Sequence, residues 1–434
     1  MIYSAFIRRM AFRGIDFVKG SPVAHHIKDL KRAFADPVVG RKLAQERLEK
    51  FLEYACATTP FYKKFAGAKD LREFPVIQKS TIRENYDDFL SSAYDKNDLV
   101  TTTTSGSYGA PMKFYLTKDK RARQTAEVIY FNGWAGYKVG MRYSQVRAYP
   151  RGRWRLFLQN GVLMNPSVID ADWLERQRQR FKKRKIRFII GYPSAIMPLA
   201  NYCMSKGDGP TDFAIRGIIT GAESLLSSIR ENVEKVFGCQ VLDRYSSNEC
   251  GVMSHECAEH KRHHINLATH KFELLKVDRD EPVEADEVGR VVVTDFFSYA
   301  LPLIRYDTGD LASWAQEPCP CGMETPCFEN IQGRAIETLY DPAGRMISPI
   351  AFDRETKDMK GILRFQLIQK TKQDYLVRLH VISSFDQGDI MQKRFQKVLG
   401  REANIKFEYV DSIPPLPSGK RPYIINEFKR SSEV

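Results

Sequence analysis

Apolar residues recur at helical spacing between Val38 and Ala68, and this pattern predicts an amphipathic helix that breaks at Thr59 and Pro60. Downstream, short runs rich in β-branched and aromatic residues alternate with helical runs. The predicted strands are 113–117, 144–149, 186–190, 215–220 and 241–245, and the predicted helices are 121–136, one that begins at Ser194, and 227–237. Such alternation is typical of an α/β architecture with largely parallel strands.

The pattern changes after Phe272, where strand-like runs follow one another with Gly and Asp turns between them, which predicts a small β subdomain. These runs are 272–277, 288–295 and 303–307. In the last hundred residues, strand-like runs (363–369, 375–381, 405–410) and a helical run (390–399) fit a compact α+β module. The sequence therefore predicts an α/β protein with a large domain at 1–334, containing layered α/β subdomains and the β subdomain, and a second domain at 335–434.

Composition and charge narrow the class of protein. Hydrophobic residues make up 43% and aromatic residues 12% of the chain, which is a globular composition. The apolar stretches are shorter than the roughly 18 residues that a membrane span needs, and no secretory signal is apparent, so we expect a cytoplasmic protein. The net charge of +14 indicates anionic partners, which could be nucleic acid, a membrane surface or phosphate-bearing small molecules. The densest basic run, 176–187, is typical of a solvated helix face, and binding of a polyanion is the alternative.

A run of small and hydroxylated residues at 101–111 directly precedes a predicted strand. Small residues let the backbone approach a phosphate closely, and hydroxyl and N–H groups can donate to its oxygens. The run is not a Walker loop, because no Gly-Lys-Ser/Thr follows it. It is a candidate phosphate-binding loop, and an ordinary polar turn is the alternative.

Four further short motifs follow in order. Glu249 lies just beyond a predicted strand, where a carboxylate is well placed to hold Mg²⁺ that bridges the phosphates of ATP. Asp310 stands in a Gly turn after another strand and could accept hydrogen bonds from both hydroxyls of a ribose. Arg334 precedes the last module, and Lys420 ends a proline-stiffened loop. Each motif taken alone is also compatible with a solvated loop.

Together, the order and spacing of these motifs resemble the adenylate-forming superfamily of acyl-CoA synthetases, adenylation domains and luciferases. Within that superfamily the chain resembles the phenylacetate-CoA ligase family, and in particular its CapK-like branch, which is associated with surface-polysaccharide genes. The supporting motifs are Thr-Pro-Phe-Tyr at 59–62, Phe-Pro-Val-Ile-Gln-Lys at 74–79, Gly-Tyr-Pro-Ser at 191–194, Gly-Ala-Glu at 221–223 and Cys-Pro-Cys-Gly at 319–322. The resemblance extends over nearly the whole chain.

The resemblance implies a ligase that uses ATP and Mg²⁺ to convert a carboxylic acid into an acyl-adenylate, and then transfers the acyl group to CoA or to an amine or sugar hydroxyl. It implies catalytic roles for Lys420, which would reach the α-phosphate and carboxylate oxygens, and for Glu249, which would bind Mg²⁺. The implied nucleotide contacts are Thr103, Thr104, Ser105, Gly106, Ser107 and Gly109 at the phosphates, Gly221, Ala222, Glu223, Tyr245 and Ser246 at the adenine and acyl pocket, Asp310 at the ribose, and Arg334. The 335–434 domain would be a mobile lid that rotates between the two half-reactions.

Two positions depart from the superfamily pattern. Tyr108 stands in the phosphate loop where a hydroxyl residue is usual, and the hinge after Arg334 has no Asp. A non-catalytic homologue and a basic polyanion-binding protein are therefore the alternative functions. The presence of Glu249, Asp310 and Lys420 favours the ligase, for which we expect no specific nucleic-acid partner.

Eight cysteines in a chain expected to be cytoplasmic indicate buried thiols or a metal site rather than disulfides. Cys257 and His264 lie close in sequence, as do Cys319 and Cys321, and such ligands from two loops suit tetrahedral structural zinc. The CapK-like branch resembles this pattern in both segments, which favours these four residues as the zinc ligands. The alternatives for a ligand position are Cys327, His260 and His263. Reduced, partly buried thiols without a metal are the alternative for the whole cluster.

Overall fold

The structure is a computed structural model that describes most of the chain. The described residues are 2–68, 70–103, 112–147, 152–167, 169–259, 261–284, 287–334, 339–347, 349–356, 358–359, 361–383, 385–415 and 422–428. Within these ranges, no helix has the length and apolar character that crossing a membrane requires.

The helices of the described residues precede, connect and cover the strands. They are α1 (Ile2–Val18), α2 (Pro22–Ala35), α3 (Pro37–Thr58), α4 (Lys79–Glu84), α5 (Lys118–Asn132), α6 (Arg153–Leu158), α7 (Ala171–Arg184), α8 (Pro193–Ser205), α9 (Ser227–Phe237), α10 (Pro349–Thr356) and α11 (Gly388–Leu399). Short 3₁₀ turns lie at Pro60–Phe65, Leu71–Glu73, Lys96–Asp98 and Pro210–Asp212. Helix α3 ends where the sequence pattern breaks, just before Thr59 and Pro60.

The strands before residue 335 are β1 (Val100–Thr103), β2 (Lys113–Leu116), β3 (Tyr143–Val146), β4 (Gly161–Met164), β5 (Phe188–Gly191), β6 (Gly217–Gly221), β7 (Val241–Ser247), β8 (Gly251–Glu256), β9 (His263–Ile265), β10 (His270–Leu275), β11 (Gly289–Asp295), β12 (Tyr306–Trp314) and β13 (Cys327–Arg334). All except β1 and β2, which pair with each other, belong to one sheet. Its order is β10-β11-β12-β13-β9-β8-β7-β6-β5-β3-β4.

This sheet confirms the predicted α/β class. Strands β3 to β7 pair in parallel, and helices α7, α8 and α9 lie in the connections between them. Strands β8 to β13 pair antiparallel. The strand-rich segment predicted after Phe272 is the antiparallel end of the same sheet, because β13 pairs with β9 at Cys327–His264 and Phe328–His263.

The strand predicted at 303–307 is displaced, since β12 begins only at Tyr306. Arg305 has a positive φ of 48°, a left-handed conformation that interrupts an extended run. The apolar residues before it are buried core residues of a loop, where Leu303 accepts a hydrogen bond from the backbone N–H of Asp295. Hydrophobicity alone therefore indicated a strand where the backbone turns.

The basic run at 176–187 begins on α7, which ends at Arg184 and is followed by Lys185 in the left-handed conformation. Two of its cations have partners within the protein. Arg178 binds the Asp208 carboxylate, and Lys182 binds both Asp208 and Asp212. The predicted helix is confirmed, but its basic face is only partly solvated, because Arg178 and Lys182 are half-buried in these ion pairs.

After residue 338 the strands are β14 (Leu339–Tyr340), β15 (Met346–Ile347), β16 (Ile362–Gln369), β17 (Asp374–Val381), β18 (Asn404–Tyr409) and β19 (Ile424–Asn426). Four of them form a sheet in the order β18-β17-β16-β19. Buried Met391, Phe395 and Leu399 lie four residues apart on α11 and pack into the core of this module. The predicted strands and helix of the α+β module are present within two residues of their expected bounds.

Helix α5 is unusual because charged side chains lie on its buried face. Lys120, Arg123 and Glu127 have no exposed surface. The Lys120 ammonium lies 2.6 Å from the Asp295 carboxylate at the end of β11 and donates to the Cys250 carbonyl at 2.9 Å. Burial raises the pKa of Asp295 to about 6 even with Lys120 beside it.

We expect Lys120→Met to lower the free energy of unfolding by about 3–5 kcal/mol, because it leaves the Asp295 carboxylate buried without its partner. Chemical denaturation measures the change. Lys118→Met is the matched control, since Lys118 lies on the same helix but is 78% exposed and 3.9 Å from its partner Asp98. Equal unfolding free energies for the two variants would contradict the assigned importance of the buried pair.

Candidate functional site

Glu249 lies in the tight connection between β7 and β8, at the carboxyl end of the last parallel strand. Its side chain is buried, and Tyr306 donates a hydrogen bond to Oε1 at 3.2 Å. The ammonium group of Lys79, at the start of α4, is 3.8 Å from the same oxygen. A buried carboxylate with a cation and a phenol beside it is a fixed anionic centre, which is a suitable ligand for a divalent cation.

Helix α5 fixes the backbone around Glu249. Gln124 donates to the carbonyls of Asn248 and Glu249 at 3.0 and 3.3 Å, and Lys120 donates to that of Cys250. Glu127 accepts from the N–H of Val252 at 3.1 Å. Three side chains on one face of a single helix therefore hold residues 248–252. Lys79, Gln124 and Tyr306 are not among the predicted site residues. Lys79 ends the motif at 74–79, but nothing in the local sequence indicates that any of the three faces Glu249.

Two predicted nucleotide contacts meet although they are far apart in sequence. The Tyr245 hydroxyl donates to the Asp310 carboxylate at 2.6 Å, and it lies 3.2 Å from the Thr308 hydroxyl. Burial and the adjacent carboxylate of Asp310 raise the pKa of Tyr245 well above its ordinary value, so the phenol remains protonated and can donate. Strands β7 and β12 thus bring the Glu249 and Asp310 motifs together at one place.

The Gly-Ala-Glu motif forms the turn after β6. A Cβ on Gly221 would lie 2.8 Å from the Arg244 carbonyl oxygen, and Ala222 has a positive φ of 68°. The Glu223 carboxylate accepts from the backbone N–H and the hydroxyl of Ser194 at 3.1 and 2.9 Å. Glu223 therefore ties this turn to the N-terminus of α8, where an anion is favoured by the helix dipole.

Of the remaining predicted site residues, the structure places three and does not describe the others. Thr103 ends β1, and its carbonyl accepts from the Asn248 side chain at 2.8 Å, which brings the start of the candidate phosphate loop to the Glu249 connection. Ser246 lies on β7 opposite Val252. The backbone of Arg334 pairs with that of Asp310. Thr104, Ser105, Gly106, Ser107, Gly109 and Lys420 lie outside the described residues, so their roles stay predictions.

The four predicted zinc ligands converge in space. The ligand atoms of Cys257, His264, Cys319 and Cys321 all lie within 4.8 Å of one another. Cys257 follows β8, His264 lies on β9, and the two remaining cysteines come from the loop between β12 and β13. Three thiol sulfurs and one imidazole nitrogen are a donor set that suits tetrahedral zinc.

The orientation of His264 distinguishes the alternatives. Its Nε2 lies 3.4 Å from the Cys321 sulfur, whereas Nδ1 lies 2.6 Å from the Thr325 hydroxyl and 3.3 Å from the Cys327 sulfur. Cys327 is thus beside the ring nitrogen that faces away from the cluster. Burial, His263 and Arg262 lower the pKa of His264 to about 4, so the imidazole is neutral, as a metal ligand must be.

The histidine alternative that the structure describes, His263, is not in this group. His263 lies 3.2 Å from the Ser254 hydroxyl and 3.6 Å from the Asp243 carboxylate, on a different side of β9. His260 lies outside the described residues.

Comparison with known proteins agrees with these motifs. The family described as the CapK C-terminal domain matches residues 339–427. Protein CapK of Staphylococcus aureus is 24% identical over 97% of this chain and 96% of its own length. Phenylacetate-coenzyme A ligase of Thermus thermophilus is 28% identical over 69% of this chain and 71% of its own. The chain is thus homologous to Protein CapK and to the phenylacetate-CoA ligases.

Solved structures of CoA ligases have the same fold as this chain. A 2-hydroxyisobutyryl-CoA ligase in complex with 2-HIB-AMP superposes with a TM-score of 0.75, at 19% identity, over 92% of this chain and 91% of that protein. The chain therefore has the fold of an adenylate-forming ligase, including the smaller C-terminal module. The expected resemblance to this superfamily is confirmed.

We expect Gly221→Ala to destabilise the fold by about 1–3 kcal/mol, because its methyl group would press against the Arg244 carbonyl on the neighbouring strand. Thermal or urea unfolding measures the loss. Gly209→Ala is the control, since a Cβ there meets no atom within 4 Å and the residue has a φ of −140°. A Gly221→Ala variant as stable as the control would mean that β6 and β7 are not packed this closely.

Proposed function

We propose that this chain is an AMP-forming acid ligase, which converts a carboxylic acid and ATP into an acyl-adenylate and pyrophosphate. One observation carries the proposal. Two hydrogen bonds, Tyr245–Asp310 and Tyr306–Glu249, join the Glu249 motif to the Asp310 motif at the carboxyl end of the sheet. Ligands of α/β sheets bind at such carboxyl ends, and homology to the phenylacetate-CoA ligases supports the same assignment.

The roles follow from the chemistry of each group. In this proposal Glu249 holds Mg²⁺, Asp310 binds the ribose, and the loop that begins at Thr103 holds the phosphates. Magnesium, when bound, offsets the negative charge of the phosphate oxygens. The acid carboxylate attacks the α-phosphorus, the bond to pyrophosphate breaks, and the Lys420 ammonium stabilises the charge that gathers on the oxygens.

We further propose CoA as the acceptor. Its thiol releases its proton to solvent, the sulfur attacks the acyl carbonyl, a thioester forms, and AMP leaves with the electrons of the broken acyl–phosphate bond. The proposal is supported by the relatives named CoA ligases. The net charge of +14 also suits two phosphate-bearing substrates. We place the reaction in the cytoplasm and, from the likeness to CapK, within the synthesis of a surface polysaccharide.

We propose domains at 1–334 and 335–434, with the second as a lid that carries Lys420. The match of the CapK C-terminal domain to residues 339–427 supports this division. In the same proposal, rotation of the lid removes Lys420 from the site after the first half-reaction, which makes room for the acceptor.

The first test is pyrophosphate release by purified protein with ATP and Mg²⁺ across aryl, fatty, amino and uronic acids. We expect release with one class of acid, and we expect Lys420→Ala to reduce it by about 10²- to 10³-fold through lost charge stabilisation. Lys393→Ala is the matched control, because Lys393 is an exposed lysine on α11 of the same module. Measurable ATP binding with no release for any acid would favour the non-catalytic alternative.

The acceptor is tested with the acid identified in that screen. We expect AMP and an acyl-CoA thioester to accumulate in equal amounts when CoA is added, as mass spectrometry would detect. If pyrophosphate release is unchanged by CoA but is stimulated by an amine or a sugar, the acceptor is that amine or sugar and not CoA. The proposed first half-reaction would still stand.

We also propose a structural zinc ion at Cys257, His264, Cys319 and Cys321. Burial raises the pKa of Cys319 to about 12, so its thiol releases a proton only when a cation binds. The Thr325 hydroxyl at Nδ1 of His264 holds the ring with Nε2 toward the cysteines. Bound zinc would link the loop between β12 and β13 to strands β8 and β9.

We expect the purified protein to contain about one zinc ion per chain by elemental analysis. Cys321→Ser should lose the ion and lower the thermal unfolding midpoint, because a ligand is removed. Cys327→Ser is the matched control and should retain the ion, since Cys327 faces the other nitrogen of His264. If Cys327→Ser loses zinc and Cys321→Ser retains it, Cys327 is the fourth ligand and Cys321 is not.

A further inference from the structure

Large apolar side chains are exposed on two helices that lie side by side, α1 and α6. Among the described residues, nine of the eighteen exposed large hydrophobic side chains belong to these helices. Phe17 is 77% exposed and Trp154 is 79% exposed. Isolated exposed apolar residues are common on proteins, but a contiguous group of this kind marks an interaction surface.

The orientation of α1 is the reverse of that of an ordinary surface helix. Phe6, Met10 and Phe17 share one helical face with Arg13 by their spacing, and all four are exposed. Arg9 lies beside this face, toward the body of the protein, and donates to the Val139 carbonyl at 3.2 Å. Asp16 is buried and accepts from two backbone N–H groups at the start of α2. Polar side chains thus contact the protein while the apolar face is in contact with solvent.

Helices α1 and α6 form one surface. Arg8 donates to the carbonyls of Phe157 and Leu158, and its guanidinium lies 4.8 Å from the centre of the Phe157 ring. The Trp154 and Phe157 rings are in edge-to-face contact at 6.2 Å. We call this surface the apolar patch and define it by six exposed members of the two helices. They are Phe6, Met10, Phe17, Trp154, Phe157 and Leu158.

The segment that forms α1 and α2 is predominantly basic. Residues 2–35 contain seven basic residues and two acidic ones. Both acidic residues are used inside the protein, Asp16 at the start of α2 and Asp29 in ion pairs with Arg47 and Arg123. The exposed charges are cationic, namely Arg13, Lys19, Lys28, Lys31 and Arg32. An anionic partner is therefore favoured.

We infer that the apolar patch is a docking surface for an anionic lipid membrane. Helix α1 would lie in the plane of the interface, with its aromatic side chains among the upper acyl chains and the surrounding cations at the lipid phosphates. Trp and Phe beside Arg and Lys are the side chains that such helices use. A second copy of this chain fits the surface less well, because a twofold interface would bring two cationic rims together.

Vesicle co-sedimentation tests the inference, with phosphatidylglycerol-containing vesicles compared with pure phosphatidylcholine vesicles. We expect binding to the anionic vesicles that weakens as salt is raised. Phe17→Ser/Trp154→Ser should reduce it by about tenfold or more, since two interfacial anchors are lost. Ile390→Ser/Tyr409→Ser is the matched control, because both residues are exposed but lie in the C-terminal module, and it should bind as the unchanged protein does.

Lys19→Glu/Lys31→Glu should weaken binding to the anionic vesicles selectively, and circular dichroism should show that every variant is folded. Binding that the Phe17→Ser/Trp154→Ser change leaves intact would overturn the inference. Absence of binding to anionic vesicles would also overturn it. Sedimentation velocity tests for a dimer. A dimer that dissociates in the Phe17→Ser/Trp154→Ser variant would instead show that the apolar patch forms a contact between two copies of the chain.

Discussion

The buried ion pair between Lys120 and Asp295 is the interaction on which the arrangement of the site depends. Removing two charges from water is costly, and the cost is offset only where each charge has further partners. Lys120 also donates to the Cys250 carbonyl, and Asp295 also accepts from the Phe297 N–H. Because any displacement would leave a buried charge unpaired, helix α5, the end of β11 and the β7–β8 connection have one favourable arrangement.

This constraint explains why residues from distant motifs meet without a long, flexible loop. Gln124 and Glu127 extend the same helical face and bind the backbone on both sides of Glu249. Tyr306 and Asp310 then approach from β12 on the antiparallel half of the sheet. The described part of the candidate site, around Glu249 and Asp310, is held by a packed helix and two strands and is therefore preorganised.

The sequence predicted those features that local chemistry encodes. Period and residue type identified four of the five parallel strands, β3, β5, β6 and β7, but not the edge strand β4. The types of donor atom indicated a metal site, and the family resemblance selected the four Cys and His residues that converge. Position 305 was misread because hydrophobicity carries no information about a left-handed backbone. Lys79 and Gln124 were missed because their partner Glu249 lies more than a hundred residues away. Periodicity also could not show that the apolar face of α1 points outward, since it reports that a helix has two faces but not which one packs.

The same polar face of α5 also reaches toward the proposed docking surface. Arg123 forms an ion pair with Asp29 on α2, and the N-terminus of α2 is capped by Asp16 of α1. A chain of helices joined by buried hydrogen bonds therefore runs from the apolar patch to the connection that carries Glu249. Spatial continuity of this kind is not evidence of allosteric coupling. Its consequence is geometric: because the described path contains packed helices and buried ion pairs, docking of α1 on a lipid surface would fix the orientation of the carboxyl end of the sheet relative to the membrane.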